Sequence, residues 1–295
     1  MNQTEKISGV FSTQEILKVG TGTTTRKSIR KAFWFCAEID SGERAGSIEV
    51  QPLNANYVPS GPKKAIDRER FLNEFAPEPE FYQSTVFPRM REITKTVARG
   101  ERHRNNGELY SAEMEFNNAL NLDVDNIRAT FGLGLTYMAR GENAKAENIL
   151  ERIVKMEDAF DQEYKHLYNE FGIQLRKGKM TQKAVAYYKR ALELSSQDEN
   201  IYYNMARAHL DNQEPAAALE FLCKALELNP GFVEASQFLL WLYNKKMLPE
   251  EKKQELAAVL KKAQETVAQA TAPAAPASQP GDSAAGAESP PASNS

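Results

Sequence analysis

The chain has 295 residues, 41% of them hydrophobic and 26% charged, with 37 lysines and arginines against 40 aspartates and glutamates. So even a balance gives no general attraction to phosphate backbones, which disfavours nucleic acid as a partner. Two cysteines, Cys36 and Cys223, lie far apart and fit neither a disulfide framework nor zinc-ligand spacing, so a chain without metal or cofactor in a reducing cytoplasm is expected. The first ten residues are polar, without the apolar core of a signal peptide. No run reaches the roughly 18 to 20 apolar residues that span a bilayer, which predicts no membrane association.

Residues 1–75 read as a small α+β module. Ser12-Thr13-Gln14-Glu15 fits a capping box and predicts a short helix there. Gly20-Thr21-Gly22-Thr23 lacks the G-x-x-x-x-G-K-[ST] order of a phosphate loop and reads as a turn. The run 31–40 carries Phe33, Trp34, Phe35 and Ile39. Asp40-Ser41-Gly42 then turns the chain, and 47–51 alternates with Ile48 and Val50 on one side, so a β-hairpin is predicted near 31–51. The basic cluster Arg26, Lys27, Arg30 and Lys31 beside those rings could meet phosphates and bases. Alternation favours instead a sheet whose rings are buried and whose edge is charged. A short helix is expected near 67–75, and residues 76–92, opening with Ala76-Pro77-Glu78-Pro79, read as a stiff connector.

From residue 93 one sparse pattern recurs four times, over 93–126, 127–160, 165–198 and 199–232. The second half of each unit has a small residue, a large one four later and another three later: Ala112, Phe116, Ala119; Ala146, Leu150, Ile153; Ala184, Tyr188, Ala191; Ala218, Leu222, Ala225. Spacings of 4 and 3 fall on one helical stripe. The first half pairs a small residue with a larger one three on: Gly100 and His103, Gly134 and Tyr137, Gly172 and Leu175, Ala206 and His209. Glycine in a helix costs about 1 kcal/mol against alanine, so its recurrence points to close helix contact. Polar breaks at Asn106-Gly107, Arg140-Gly141, Lys177-Gly178-Lys179 and 212–215 separate the halves. Four extra residues within 157–164 should lengthen the turn or the adjoining helix. Residues 233–270 read as additional and capping helices, the last opening at Pro249. Residues 271–295, rich in Ala, Pro and Ser, are expected to be a disordered tail.

This pattern resembles the tetratricopeptide repeat, a 34-residue helix-turn-helix with small and large residues at these offsets. The resemblance implies a mainly α fold: a solenoid of four helix-turn-helix repeats plus capping helices, preceded by the β-hairpin module. Thr96 and Arg99 depart from the larger apolar residues the family prefers, which marks the first helix of unit 1 as an altered cap. In the family the first helix of each repeat lines a concave, peptide-holding face. Carried over by position, the groove residues are Arg104, Arg128, Phe131, Leu135, Met138, His166, Asn169, Ile173, Arg176, Tyr203 and Arg207. The lysine and asparagine clamp by which one subgroup holds C-terminal carboxylates is absent. An apolar strip flanked by Arg104, Arg128, Arg176 and Arg207 predicts a protein or peptide partner with apolar anchors and acidic flanks. Alternatively, the strip is covered by this chain's own N-terminal region or final helix.

Catalysis needs converging acid, base or nucleophile groups, and the sequence presents no such set, so the chain reads as a scaffold or assembly factor and not an enzyme. His103 and His209 fall where the repeat packs a ring, and only His166 is expected in the groove. A different class, an RNA-associated or regulatory protein whose N-terminal module binds the ligand while the repeats mediate assembly, remains the alternative.

Overall fold

The structure is a computed structural model that describes residues 6–19, 26–42, 44–248, 252, 254 and 256–271. The Gly20–Thr23 turn, the helix start at Pro249 and the tail beyond Thr271 lie outside the described residues. The chain divides into two compact units, 1–229 and 230–295.

The first unit begins with an antiparallel sheet of strand order β4-β3-β2-β1-β5. Strands β1 (Ser8–Val19) and β2 (Arg26–Glu38) form a long hairpin with Ser8 opposite Ala37. β3 (Ile48–Pro52) pairs with β2, β4 (Lys64–Ile66) with β3, and β5 (Ala76–Pro77) with β1. The hairpin expected near 31–51 is thus β2–β3. The helix expected at Ser12 is not formed, because its hydroxyls are spent across the sheet instead of on a helix start. Ser12 Oγ donates to Glu78 Oε1 at 2.7 Å, and Thr13 Oγ1 accepts from Trp34 Nε1 at 3.0 Å.

Because β-strand side chains alternate, the rings of β2 face both ways. Phe33 and Phe35 meet Phe81 and Tyr82, with ring centroids 4.6 and 6.2 Å apart. On the other face Trp34 and Cys36 join Ile48, Val50 and Phe71, the last from α1 (Arg68–Glu74), the short helix expected near 67–75. The sheet is therefore covered on two sides, not one. The expected connector at 76–92 is mostly helix. After β5, α2 (Pro79–Phe81), a π turn (Tyr82–Val86) and α3 (Phe87–Asn105) follow end to end. Pro79 sits in the first helical turn, where its missing N–H costs no hydrogen bond.

The repeats follow as α3 with α4 (Leu109–Leu122), α5 (Ile127–Ala139) with α6 (Asn143–Lys155), α7 (Lys165–Lys177) with α8 (Thr181–Leu194), and α9 (Glu199–Asp211) with α10 (Pro215–Leu228). Gly107 and Gly141 take the left-handed conformation that closes a helix, with φ of 79° and 74°. In the later repeats Lys179 and Gln213 take that place, at 61° and 64°. The extra residues at 157–164 form two short 3₁₀ turns. They bury Ala159 and Phe160, whose ring lies 5.4 Å from that of Tyr187. In the second unit α11 (Val233–Asn244) packs on α12 (Ala257–Thr271).

The loop before β4 fixes the sheet to the first repeat. Val58 is buried with Ile93, Val97 and Ala119. Asn54 and Asn56 each donate to the Leu122 carbonyl at 2.9 Å, and Ser60 Oγ donates to Asp123 at 2.6 Å.

Helix contact in the repeats depends on absent side chains. The buried Phe116 ring of α4 lies between α3 and α5. A Cβ on Gly100 would stand 2.8 Å from it, and one on Gly132 would run into the same ring. Helix propensity alone would favour Gly132→Ala by about 1 kcal/mol, whereas overpacking costs about 1–3 kcal/mol. Gly132→Ala is expected to shift the urea midpoint downward, and pairing it with Phe116→Leu to restore part of the loss. A midpoint that rises in the single variant would contradict the close packing.

Candidate peptide-binding face

Helices α3, α5, α7 and α9 lie in a row, each against the next, so their outward positions share one face. The structure separates the residues expected there into two groups. Phe131 and Leu135 are 0% and 3% exposed and belong to the core, where the Phe131 ring centroid lies 5.6 Å from that of Phe171. They stiffen the face from beneath and offer no surface to a ligand, which corrects the apolar strip. Every residue from Ala129 to Tyr137 is buried, so α5 is covered on all sides. Met138 is only partly exposed and packs against the core. His166 is exposed, while Asn169, Ile173, Arg176, Tyr203 and Arg207 are partly exposed along α7 and α9.

Part of the cover over α5 is ionic. Arg104 Nη1 of α3 reaches Glu170 Oε1 of α7 at 2.8 Å, crossing the helix between them. Arg128 Nη2 meets both oxygens of Glu101 at 2.8 and 2.9 Å, and Arg176 Nη1 meets Asp211 Oδ2 at 2.6 Å. Asn204 Nδ2 donates to Asn169 Oδ1 at 3.1 Å, adding a neutral rung between α7 and α9. Three of the four arginines read as flanks for an acidic ligand are therefore already paired within the chain. Arg207 has no carboxylate within ion-pair distance among the described residues, and its guanidinium stands over the Tyr203 ring at 5.7 Å. None of these pairings was legible in the sequence, since the partners are up to 66 residues apart.

Two of the three histidines contact a glutamate five residues on. His209 stacks on Phe221 with centroids 5.0 Å apart, and its Nδ1 lies 2.6 Å from Glu214 Oε2. His103 makes the same contact with Glu108. Among the described residues no three His, Cys, Asp or Glu side chains could hold a metal ion, and no helix is long and apolar enough to cross a membrane. Of the basic cluster, Lys31 is paired with Glu78 at 2.6 Å, and the side chains of Arg26 and Lys27 lie outside the described residues.

The α7–α9 spacing is held by Asp198. Its buried carboxylate accepts from Tyr168 Oη at 2.8 Å and from the Asn200 amide at 2.9 Å, with Lys165 Nζ at 3.2 Å. Burial pushes this carboxyl up, but the Tyr168 hydroxyl, the Asn200 amide and Lys165 outweigh it and hold it below its ordinary value.

Residues 199–232, which form α9, the turn and α10, match the family model of the tetratricopeptide repeat. That segment is a tetratricopeptide repeat, and the helix pairs α3–α4, α5–α6 and α7–α8 before it have the same helix-turn-helix form. No curated protein matches it. Among solved structures, a MamA protein is 24% identical, with 63% of this chain and 98% of that one covered and a TM-score of 0.46. PilF of Pseudomonas aeruginosa is 17% identical, with 63% and 79% covered and a TM-score of 0.47. YrrB, described as a TPR protein with an unusual peptide-binding site, is 21% identical, with 58% and 84% covered and a TM-score of 0.40. Likenesses at these scores carry nothing about a partner or a site.

A depressed carboxyl pKa stabilises the fold above the unfolded value, and the contribution disappears as pH falls through the folded value. Stability measured by urea titration should therefore fall below about pH 4 in the unmodified chain. Asp198→Asn, which keeps a good helix cap, should be less stable at neutral pH and show a shallower acid limb. Parallel acid limbs in the two proteins would remove Asp198 from this role.

Proposed function

We propose that the repeat array binds a partner polypeptide along α7 and α9, as a scaffold or assembly factor and without catalysis. The observation that carries this reading is the division of the first-helix face. Over α5 the apolar residues are buried and the charges are paired. Along α7 and α9, Ile173 and Tyr203 keep part of their surface beside His166, Asn169 and Arg207. Apolar side chains set among polar donors are the usual anchors of a peptide groove. A ligand with one or two large apolar residues and an acidic group beside them fits this stretch. It is shorter than the four-repeat groove carried over from the family.

A photoreactive phenylalanine analogue at Tyr203 in the full-length chain should give one discrete adduct in its native cells. The same group at Ala186, exposed on α8, should not give it. Ile173→Glu should weaken the captured partner's affinity by about tenfold or more. Identical adducts from Tyr203 and Ala186, or an Ile173→Glu chain that binds as tightly as the original, would move the working surface elsewhere.

A further inference from the structure

The β1–β2 hairpin is longer than the sheet that supports it. Its ladder runs from Ser8 opposite Ala37 to Val19 opposite Arg26, yet β3 pairs with β2 only as far as Trp34, and β5 with β1 only as far as Ser12. From Thr13 and Ala32 outward the two strands pair with each other alone among the described residues, over roughly 20 Å at about 3.4 Å per residue. A two-stranded ribbon of this kind is marginal in water. The arm's sequence holds five cations, Lys18, Arg26, Lys27, Arg30 and Lys31, against the single acid Glu15, although the whole chain has a net charge of -3. Ile16 stands opposite Ile29 in the ladder, and Ile29 is 67% exposed. A surface that covers this arm has to offer negative charge and apolar area together, and a phosphate backbone supplies only the first.

The chain itself has such a surface. A cleft of about 590 Å³ opens where the loop before β4 meets the α4–α5 turn and the two 3₁₀ turns at 157–164. Five carboxylates and two lysines line it, and no residue of the arm does. One of the lysines, Lys63, is already held by Glu49 at 3.2 Å. Asp158, Asp161 and Glu163, all brought in by the extra residues of the third unit, have no cation within ion-pair distance among the described residues. Burial and the neighbouring Asp158 push the Asp161 carboxyl up, and Glu163 adds to this against the pull of Lys63. Uncompensated negative charge has that effect. Ile127 and Met156 give the same cleft an apolar wall.

We propose that the β1–β2 arm of one copy docks in this cleft on a second copy, its cations against Asp158, Asp161 and Glu163 and its exposed Ile29 against Ile127 and Met156. The two surfaces match in charge and in apolar character, and every copy carries both. The contact joins unlike patches, so each copy can give an arm to one neighbour and receive one from another. None of the residues named for the α7–α9 face lines the cleft, and that face stays open while copies associate.

The test is sedimentation velocity of the full chain over a range of concentration and salt. The mass should rise above the 33.1 kDa of one copy as concentration increases at low salt, and return toward it as salt is raised from roughly 0.05 to 0.5 M. Arg30→Glu and Asp161→Lys both change exposed residues, so each should leave the thermal midpoint level while weakening self-association by about tenfold or more. Mixing the two variants is the decisive step. The first keeps an intact cleft and the second an intact arm, so together they should form a complex that neither forms alone. A chain that stays at the mass of one copy throughout, or association that both variants leave unchanged, would overturn the proposal. So would a mixture that remains as dissociated as its components. Binding of a DNA duplex that Arg30→Glu abolishes, in a chain that does not self-associate, would assign the arm to a polyanion instead.

Discussion

The Phe116 ring lies between two helices that approach it only because Gly100 and Gly132 carry no side chain. Phe171 against Gly134 and Tyr188 against Gly172 continue the same arrangement into the third repeat. Phe116 and Tyr188 reach from second helices to glycines of the first helices beside them, while Phe171 of α7 meets Gly134 of α5 directly, and together these contacts set the spacing of α3, α5 and α7. Core packing of this kind tolerates little added volume. The row is therefore a stiff platform, and the properties of its outward face follow from how closely its helices stand.

That closeness explains both the sealed and the open part of the face. Where α3, α5 and α7 stand together, Arg104 can reach Glu170 over α5, and Phe131 and Leu135 sink into the core. Between α7 and α9 the polar contacts include an asparagine pair, the Arg176–Asp211 ion pair and Asp198 with Tyr168 and Lys165, and Ile173 and Tyr203 are still partly exposed. Partly exposed ion pairs contribute little to stability. Their consequence here is positional: they fix which charges are spent and leave Arg207 without a carboxylate among the described residues.

The repeats were legible because their signal is local. A small residue followed at 4 and 3 by larger ones states which helix face is buried, and the starts at Ile127, Lys165 and Glu199 coincide with observed helices. Strand β1 was not legible, because Ser12 to Glu15 carries a local helix-start signal that its pairing with Ala32, Phe33, Lys31 and Arg30 of β2 overrides. The β2–β3 hairpin, with a turn signal between its strands, was. In the site, carrying groove positions over from the family assumed an open face throughout. The lid on α5 depends on residues 66 positions apart, and no spacing rule reports such a pair. Tyr188 reads in the sequence as a packing ring, and the structure buries it completely as one.

The central claim is that the ligand surface is the α7–α9 stretch and neither the sealed α3–α5 stretch nor the N-terminal sheet. Amide hydrogen exchange of the full chain, with and without the partner recovered through Tyr203, tests it most directly. The account predicts slowed exchange in α7 and α9 on binding, with β1 to β3 and α5 unchanged. Slowing centred on the sheet, with α7 and α9 exchanging as before, would contradict it.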